Sequence, residues 1–258
     1  MNNRYYANVL GADQKAILAC LKKANEICAK DTDVNRIVLY SYTKNNFDTV
    51  ARIFGPENVN RMFAQPLRFE GIVKPVQCLT ERTYNDWSQQ LCIVICCHMD
   101  SKSVQKVDDF RSAKYIMAVS WLKDGVAEWV RRWNAEYLYG DEIQEMKKED
   151  DDLALLRIAL EEMDIRMCGS KDFHHPDDEN ACKTYIRTIH KYMSEITSSQ
   201  IEDILVTELN WTNDNAAQVG ELLDRLKSGH AFRGGDKTGL AQYHKGWKEK
   251  LKVEMKKK

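Results

Sequence analysis

The feature that most constrains this chain is a change of pattern near residue 140. Before it, short apolar runs rich in β-branched residues alternate with helix-like segments, and after it every periodic segment has helical spacing. The runs lie at residues 36–42, 71–78, 91–97, 114–119 and 136–139. Strands separated by helices indicate a mostly parallel sheet with helices on both faces. The sequence therefore predicts a flavodoxin- or Rossmann-like α/β sheet of about five strands, followed by an all-helical region.

Charge is distributed unevenly along the 258 residues, although the net charge is only −1. Acidic residues dominate from Asp141 to Asp152, and basic residues outnumber acidic ones from Arg225 to Lys258. We predict a sheet domain at 1–140, an acidic linker at 141–151 and a helical domain at 152–258 that ends in a basic helix. A single globule, with the later helices packed on the sheet, is the alternative.

Composition favours a cytoplasmic protein. No run approaches the roughly 18 apolar residues that span a bilayer, and the amino terminus lacks the pattern of a secretory signal. Eight cysteines are present without any Cys-x-x-Cys pair, so we expect reduced thiols. The chain has neither Gly-x-Gly-x-x-Gly nor Gly-x-x-x-x-Gly-Lys-Ser/Thr, which argues against an NAD enzyme or an ATPase. No cofactor is predicted.

Polar residues follow each predicted strand, at the edge where ligands bind in doubly wound sheets. Those predicted to contact a ligand are Ser41, Thr43, Lys44, Thr80, Glu81, Ser101, Trp121 and Asp124. The densest group, Cys97, His98 and Asp100, is the candidate catalytic site, because a base or cation beside a thiol stabilises the thiolate. In the alternative interpretation the thiol fills the core and Asp100 only caps a helix, since neighbouring strand residues point to opposite faces.

A second group of potential ligands lies in the helical half. It comprises Cys168, His174, His175, Cys182 and His190. Cys182 and His190 would lie about 12 Å apart along one helix, too far for one ion. The segment after His175 instead has the pattern of a helix start, with proline first and acids following. No metal site is predicted.

The basic end forms the third candidate site. Leu240, Tyr243, Trp247 and Leu251 recur at helical spacing and predict a buried stripe. The lysines predicted to contact nucleic acid on the rest of the helix are Lys245, Lys248, Lys250 and Lys252. Helices at 199–210 and 215–227 have helix-turn-helix lengths, but acids on the second disfavour phosphate contact. A solvated terminal helix is the alternative.

These observations predict a binding or regulatory protein. Its sheet edge would hold a small polar ligand, and its basic helical end would dock on nucleic acid or a protein partner. The alternative is a cytosolic hydrolase or transferase that uses His98 and Asp100, with Cys97. Substrate and oligomeric state do not follow from the sequence.

Overall fold

The computed structural model describes residues 3–86, 90–143, 151–167, 171 and 175–255. The chain forms two compact units, Met1–Met146 and Lys147–Lys258. The division between them falls inside the acidic segment that was predicted as a linker. Among the described residues, no helix is both long and apolar enough to cross a membrane.

The first unit contains a six-stranded sheet. Its strands are β1 (Arg4–Asn8), β2 (Arg36–Ser41), β3 (Val76–Thr80), β4 (Cys92–Cys97), β5 (Ala113–Val119) and β6 (Glu136–Gly140). Their order across the sheet is β3-β2-β4-β5-β1-β6, and every neighbouring pair is parallel. The predicted α/β class, with its parallel sheet and helical second region, is confirmed.

One strand escaped the sequence analysis. Strand β1 has the short sequence Arg-Tyr-Tyr-Ala-Asn, which is neither β-branched nor alternating. It becomes a strand because it lies between β5 and β6 and pairs with both. Four of its five residues are buried. Its position was decided by tertiary pairing rather than by local propensity.

A second difference concerns the edge strand β3. The predicted strand began at residue 71, whereas β3 begins at Val76, directly after Pro75. Proline has no amide hydrogen to donate, so it precedes the regular ladder, although its carbonyl still accepts from the Ile37 amide at 2.9 Å. A proline at this position suits an edge strand, and β3 lies at one edge of the sheet.

Helices cover both faces of the sheet. They are α1 (Gln14–Lys30), α2 (Asp48–Phe54), α3 (Pro56–Ala64), α4 (Ser101–Asp108) and α5 (Ala127–Trp133), with a short 3-10 helix at Lys44–Phe47. Residues of α1, α2 and α3 share one apolar core with the sheet, and residues of α4 and α5 share the other. Gly55 ends α2, and Pro56 is the first residue of α3.

The second unit is helical throughout its described secondary structure. Its helices are α6 (Asp151–Arg166), α7 (Pro176–Tyr192), α8 (Ser198–Thr207), α9 (Asn213–Lys227) and α10 (Leu240–Met255). Helix α8 starts with a capping box formed by Thr197 and Gln200. Helix α10 packs against α6 and α7, and Trp247 of its predicted stripe is completely buried.

Candidate functional site

A cavity of about 450 Å³ opens at the carboxyl end of the sheet. Strand β2 leads to helices on one face, whereas the neighbouring strand β4 leads to α4 on the other. The loops therefore diverge between β2 and β4, as they do at the ligand-binding crevice of doubly wound sheets. We call this space the rim cavity. Its walls are Ala12, Tyr42, Asn45, Asn46, Asp48, Thr49, Arg52, His98, Met99, Asp100, Trp121, Leu122 and Gly125.

His98 forms part of the cavity wall and is only 6% exposed. Its Nδ1 lies 3.3 Å from the Ser120 carbonyl oxygen, and its Nε2 lies 3.0 Å from Oγ1 of Thr49. These partners suit a neutral ring that donates from Nδ1 and accepts at Nε2. Burial lowers the pKa of His98 below its ordinary value of 6.5, and the Ser120 carbonyl only partly opposes this.

The backbone of His98 is in the left-handed region, with φ of 58°. Side chains other than glycine seldom adopt this conformation, although histidine tolerates it better than most. It occurs immediately after β4. Strained residues of this kind concentrate at binding and active sites, where surrounding contacts hold them in place.

The Trp121 ring packs against the His98 ring in an edge-to-face arrangement, with 5.1 Å between the two ring centroids. The tryptophan is 48% exposed and its neighbour Leu122 is 61% exposed. Both follow β5, whose carboxyl end lies next to that of β4. An exposed aromatic and an exposed leucine beside a buried imidazole give the cavity an apolar wall that a ligand can cover.

Asp100 lines the cavity but is already occupied in capping α4. Its Oδ1 accepts from the Ser103 amide at 2.9 Å, and its Oδ2 accepts from the Tyr42 hydroxyl at 3.0 Å. Partial burial raises the pKa of Asp100, but these hydrogen bonds outweigh it and leave the pKa below its usual value. Asp100 is therefore a fixed carboxylate, positioned to accept hydrogen bonds rather than to deliver a proton.

Cys97 does not lie in the cavity. It is completely buried in the core that contains α1, and burial raises the pKa of its thiol well above the usual value. The adjacent His98 follows β4 with its backbone in the left-handed region, and its side chain reaches Thr49 of α2 and lines the cavity. This placement removes Cys97 from the group that the sequence suggested with His98 and Asp100.

Most of the predicted ligand contacts have structural roles instead. The Ser41 hydroxyl donates to the Cys97 carbonyl at 2.9 Å, and Asp124 accepts from the Asn8 side chain at 2.9 Å. Thr43 caps the 3-10 helix, and Ser101 donates to the Gly125 carbonyl. Three more are Lys44 over the Phe63 ring, Thr80 bonded to Thr83, and Glu81 paired with Lys106. Trp121 is the one of the eight predicted contacts that lines the cavity.

Several cavity residues were missed by the sequence analysis. They come from the loop after β2 and from the first two turns of α2, and the polar ones are Tyr42, Asn45, Asn46, Asp48, Thr49 and Arg52. Thr49 and Arg52 are three residues apart, which places them on one side of the helix. This spacing, in a helix that closely follows a buried strand, is the sequence feature that could have predicted them as cavity residues.

The proposed ligand group in the helical unit does not assemble within the described residues. His175 caps α7, where its Nδ1 accepts from the Asp177 amide at 3.3 Å. Cys182 is completely buried. Cys168 and His174 lie outside the described residues. No group of three or more His, Cys, Asp or Glu side chains suited to a metal occurs in the described ranges.

The four lysines of α10 are not equivalent. Lys250 Nζ lies 2.5 Å from Glu162 Oε2 in α6, so its charge is already compensated. Lys245 lies 4.0 Å from Glu249 on the same helix. Lys248 and Lys252 are exposed. The predicted nucleic-acid surface is thus reduced to separate lysines on one exposed helix side.

The protein thus has a parallel α/β unit followed in the chain by a helical unit. The rim cavity of the first unit lies where the loops after β2 and β4 diverge. Within the helical unit, residues 154–248 match the model of a domain of unknown function, DUF1889. The match runs from α6 into α10 and assigns no activity. Searches of curated proteins and of solved structures returned no match.

Proposed function

We propose that the first unit binds a small polar ligand in the rim cavity. The observation that carries this proposal is the neutral, buried His98 beneath the exposed Trp121 at the point where the loops diverge. A binding role is favoured over catalysis because both His98 nitrogens and both Asp100 oxygens already have protein partners. A ligand would rest on the apolar wall and exchange hydrogen bonds with the surrounding polar side chains.

The chemistry of the walls limits the ligand class. Trp121 and Leu122 offer an apolar surface, Asn45 offers an amide, and Arg52 offers the guanidinium on the α2 side. A volume of about 450 Å³ suits a molecule of nucleoside, sugar or amino-acid size. We expect a ligand with a planar or apolar part and several hydrogen-bonding groups.

The proposal is tested by screening nucleosides, hexoses and amino acids for thermal stabilisation and for a change in tryptophan fluorescence. A ligand of the rim cavity should bind Leu122→Ala and Arg52→Gln about tenfold more weakly, since each change removes an exposed contact. Leu18→Ala is the matched control, because Leu18 is 47% exposed but does not line the cavity. A hit whose affinity is the same in all three variants would contradict the assignment.

A hydrolase or transferase is the second candidate, supported by one hydrogen bond. The Thr49 hydroxyl is 3.0 Å from Nε2 of His98, whose other nitrogen faces a carbonyl, as in a base that is oriented to activate a hydroxyl. Thr49 is only 2% exposed, which places this role second. Thr49→Val removes the hydroxyl with little change of shape and should abolish any ester hydrolysis that the protein performs. Ester hydrolysis that persisted in this variant would exclude Thr49 as the activated hydroxyl.

We further propose that the basic end of the helical unit docks on nucleic acid or a protein partner, as the sequence predicts. Exposed Lys248 and Lys252 support contact with nucleic acid or an acidic protein surface, with strong dependence on salt. The seven free, buried cysteines among the described residues support a reducing, cytoplasmic location.

A further inference from the structure

A second cavity, in the helical unit, brings three cationic side chains and a histidine together beside two leucines. It measures about 480 Å³ and is lined by Arg187, His190, Lys191, Leu226, Lys237 and Leu240. No acidic side chain is among the described residues that line it. We call it the cationic cleft. Three permanent positive charges and one imidazole around a single concave space oppose one another unless an anion occupies it.

The cleft is assembled from three parts of the unit. Arg187, His190 and Lys191 belong to the last part of α7, and Leu226 lies near the end of α9. Lys237 comes from the segment that precedes α10. Side chains from separated positions in the chain thus converge, whereas a solvated helix face would present lysines along one element only.

Arg187 is held in place at the cleft. Its Nη2 donates to the carbonyl oxygens of Phe232 and Gly234, at 2.6 and 3.2 Å, and its guanidinium lies 4.3 Å from the Phe232 ring centre. Its Nε–H is buried and meets no acceptor among the described residues. A buried donor without an acceptor costs free energy, so the carbonyl and ring contacts that hold the guanidinium at the cleft must offset that cost.

The segment that carries Lys237 is also fixed to α7. The Gly235 amide donates to the Asn180 side chain at 3.0 Å, and the Asp236 amide donates to the Thr184 hydroxyl at 2.7 Å. Gly235 has φ of +71°, and an added Cβ would lie 2.8 Å from Cβ of Lys183. Only glycine allows this approach, so the segment is packed closely rather than free. Such preorganisation lowers the entropy cost of binding a ligand.

We propose that the cationic cleft binds the phosphate groups of a small, multiply charged organic phosphate, such as a pyrophosphate-containing molecule. Arginine and lysine are the side chains that bind phosphate most effectively, and two adjacent phosphates match the three permanent charges better than one does. The concave cleft favours a compact ligand over an extended polymer. This inference concerns the second unit and does not depend on the ligand of the rim cavity.

Isothermal titration of the full-length protein with sodium pyrophosphate tests the proposal. We expect measurable binding that weakens as salt is added. The double variant Lys191→Gln, Lys237→Gln should weaken it at least about tenfold, because both charge-assisted contacts are lost. Both lysines are exposed, so circular dichroism and the melting temperature should not change.

The matched control is Lys15→Gln, Lys22→Gln, which removes the same charge from two exposed lysines of α1 without altering the cleft. Its affinity for pyrophosphate should stay within about twofold of the parent value. The proposal is overturned if the parent protein does not bind pyrophosphate, or if the two double variants lose affinity equally. Competition with an oligothymidylate gives a further test. The proposal is also overturned if the oligothymidylate displaces all of the bound pyrophosphate and itself binds through Lys248 and Lys252 alone, because pyrophosphate would then occupy the α10 surface.

Discussion

Two buried titratable groups lie at opposite ends of the sheet unit, and they have different surroundings. Asp108 closes α4 and accepts from Arg4, which begins β1, at 2.7 Å. It also accepts from the indole nitrogens of Trp129 and Trp133, at 2.7 and 2.8 Å. His98, at the other end, has two partners and faces the open rim cavity. Burial is common to both, but only His98 adjoins space for a ligand.

The difference shows why burial alone does not identify a functional residue. Burial raises the pKa of Asp108 to about 6, against the opposing effects of Arg4 and the two indoles. A shifted pKa therefore also occurs at Asp108, whose carboxylate is enclosed by Arg4 and the two indoles. The useful distinction is whether the group also borders a cavity, as His98 does.

The largest expected effect is at the enclosed group. Asp108→Ala should lower the free energy of unfolding by about 3–5 kcal/mol, because the Arg4 guanidinium loses its carboxylate and two indoles lose a buried acceptor. Asp33→Ala is the control, since it removes only an exposed pair with Lys114 and should cost at most about 1 kcal/mol. Denaturant titration measures both. Equal losses of unfolding free energy in the two variants would show that the contacts of Asp108 with Arg4 and the two indoles add no more stability than an exposed ion pair.

A smaller effect is expected from the backbone of His98. His98→Ala should destabilise the sheet unit, and His98→Gly should be about 1 kcal/mol more stable than the alanine variant, because φ of 58° suits glycine. Urea denaturation of the two variants gives the comparison. An alanine variant at least as stable as the glycine variant would show that the left-handed conformation relaxes once the imidazole is absent.

The two groups should also give stability slopes of opposite sign with pH. The pKa of His98 is lowered on folding, so the unfolded chain binds more protons below pH 6.5 and stability should fall as the pH drops through that region. The pKa of Asp108 is raised, so its contribution falls as the pH rises from 3.8 to about 6.

Comparing the parent protein with His98→Asn across this range isolates the histidine, because Asp108 is present in both proteins. The free-energy difference between them should change in favour of the parent as the pH rises towards neutrality. A difference that stays constant between pH 5 and 7 would mean that the His98 pKa is the same folded and unfolded.

The smallest effect on stability is expected at the cavity surface. Leu122→Ala should change the free energy of unfolding by no more than about 0.5 kcal/mol, since the side chain is 61% exposed. Thermal melts and denaturant curves that overlay those of the parent would confirm this. A loss above about 1.5 kcal/mol would make Leu122 a packing residue and weaken its use as a probe of ligand binding.

The strands β2, β4, β5 and β6 and the helical character of the second unit could be predicted, because burial and helical spacing leave a local pattern in the sequence. The start of β3 was predicted too early, because Pro75, which lacks an amide hydrogen, precedes the regular ladder that begins at Val76. Strand β1 could not be predicted, because its polar and aromatic residues become a strand only between two partners. Long, periodic elements are specified locally, whereas a short strand depends on its neighbours.

The sequence by itself determined that His98, Asp100 and Trp121 follow strand ends, and hence that they lie at one rim once the strands are parallel. Only the tertiary structure decided which of the neighbouring polar residues open onto a cavity and which are used in caps and turns. It separated Cys97 from His98, and it brought Lys191 and Lys237 together from different elements. The physical reason is that side-chain direction and long-range packing depend on contacts between distant residues, which no local pattern records.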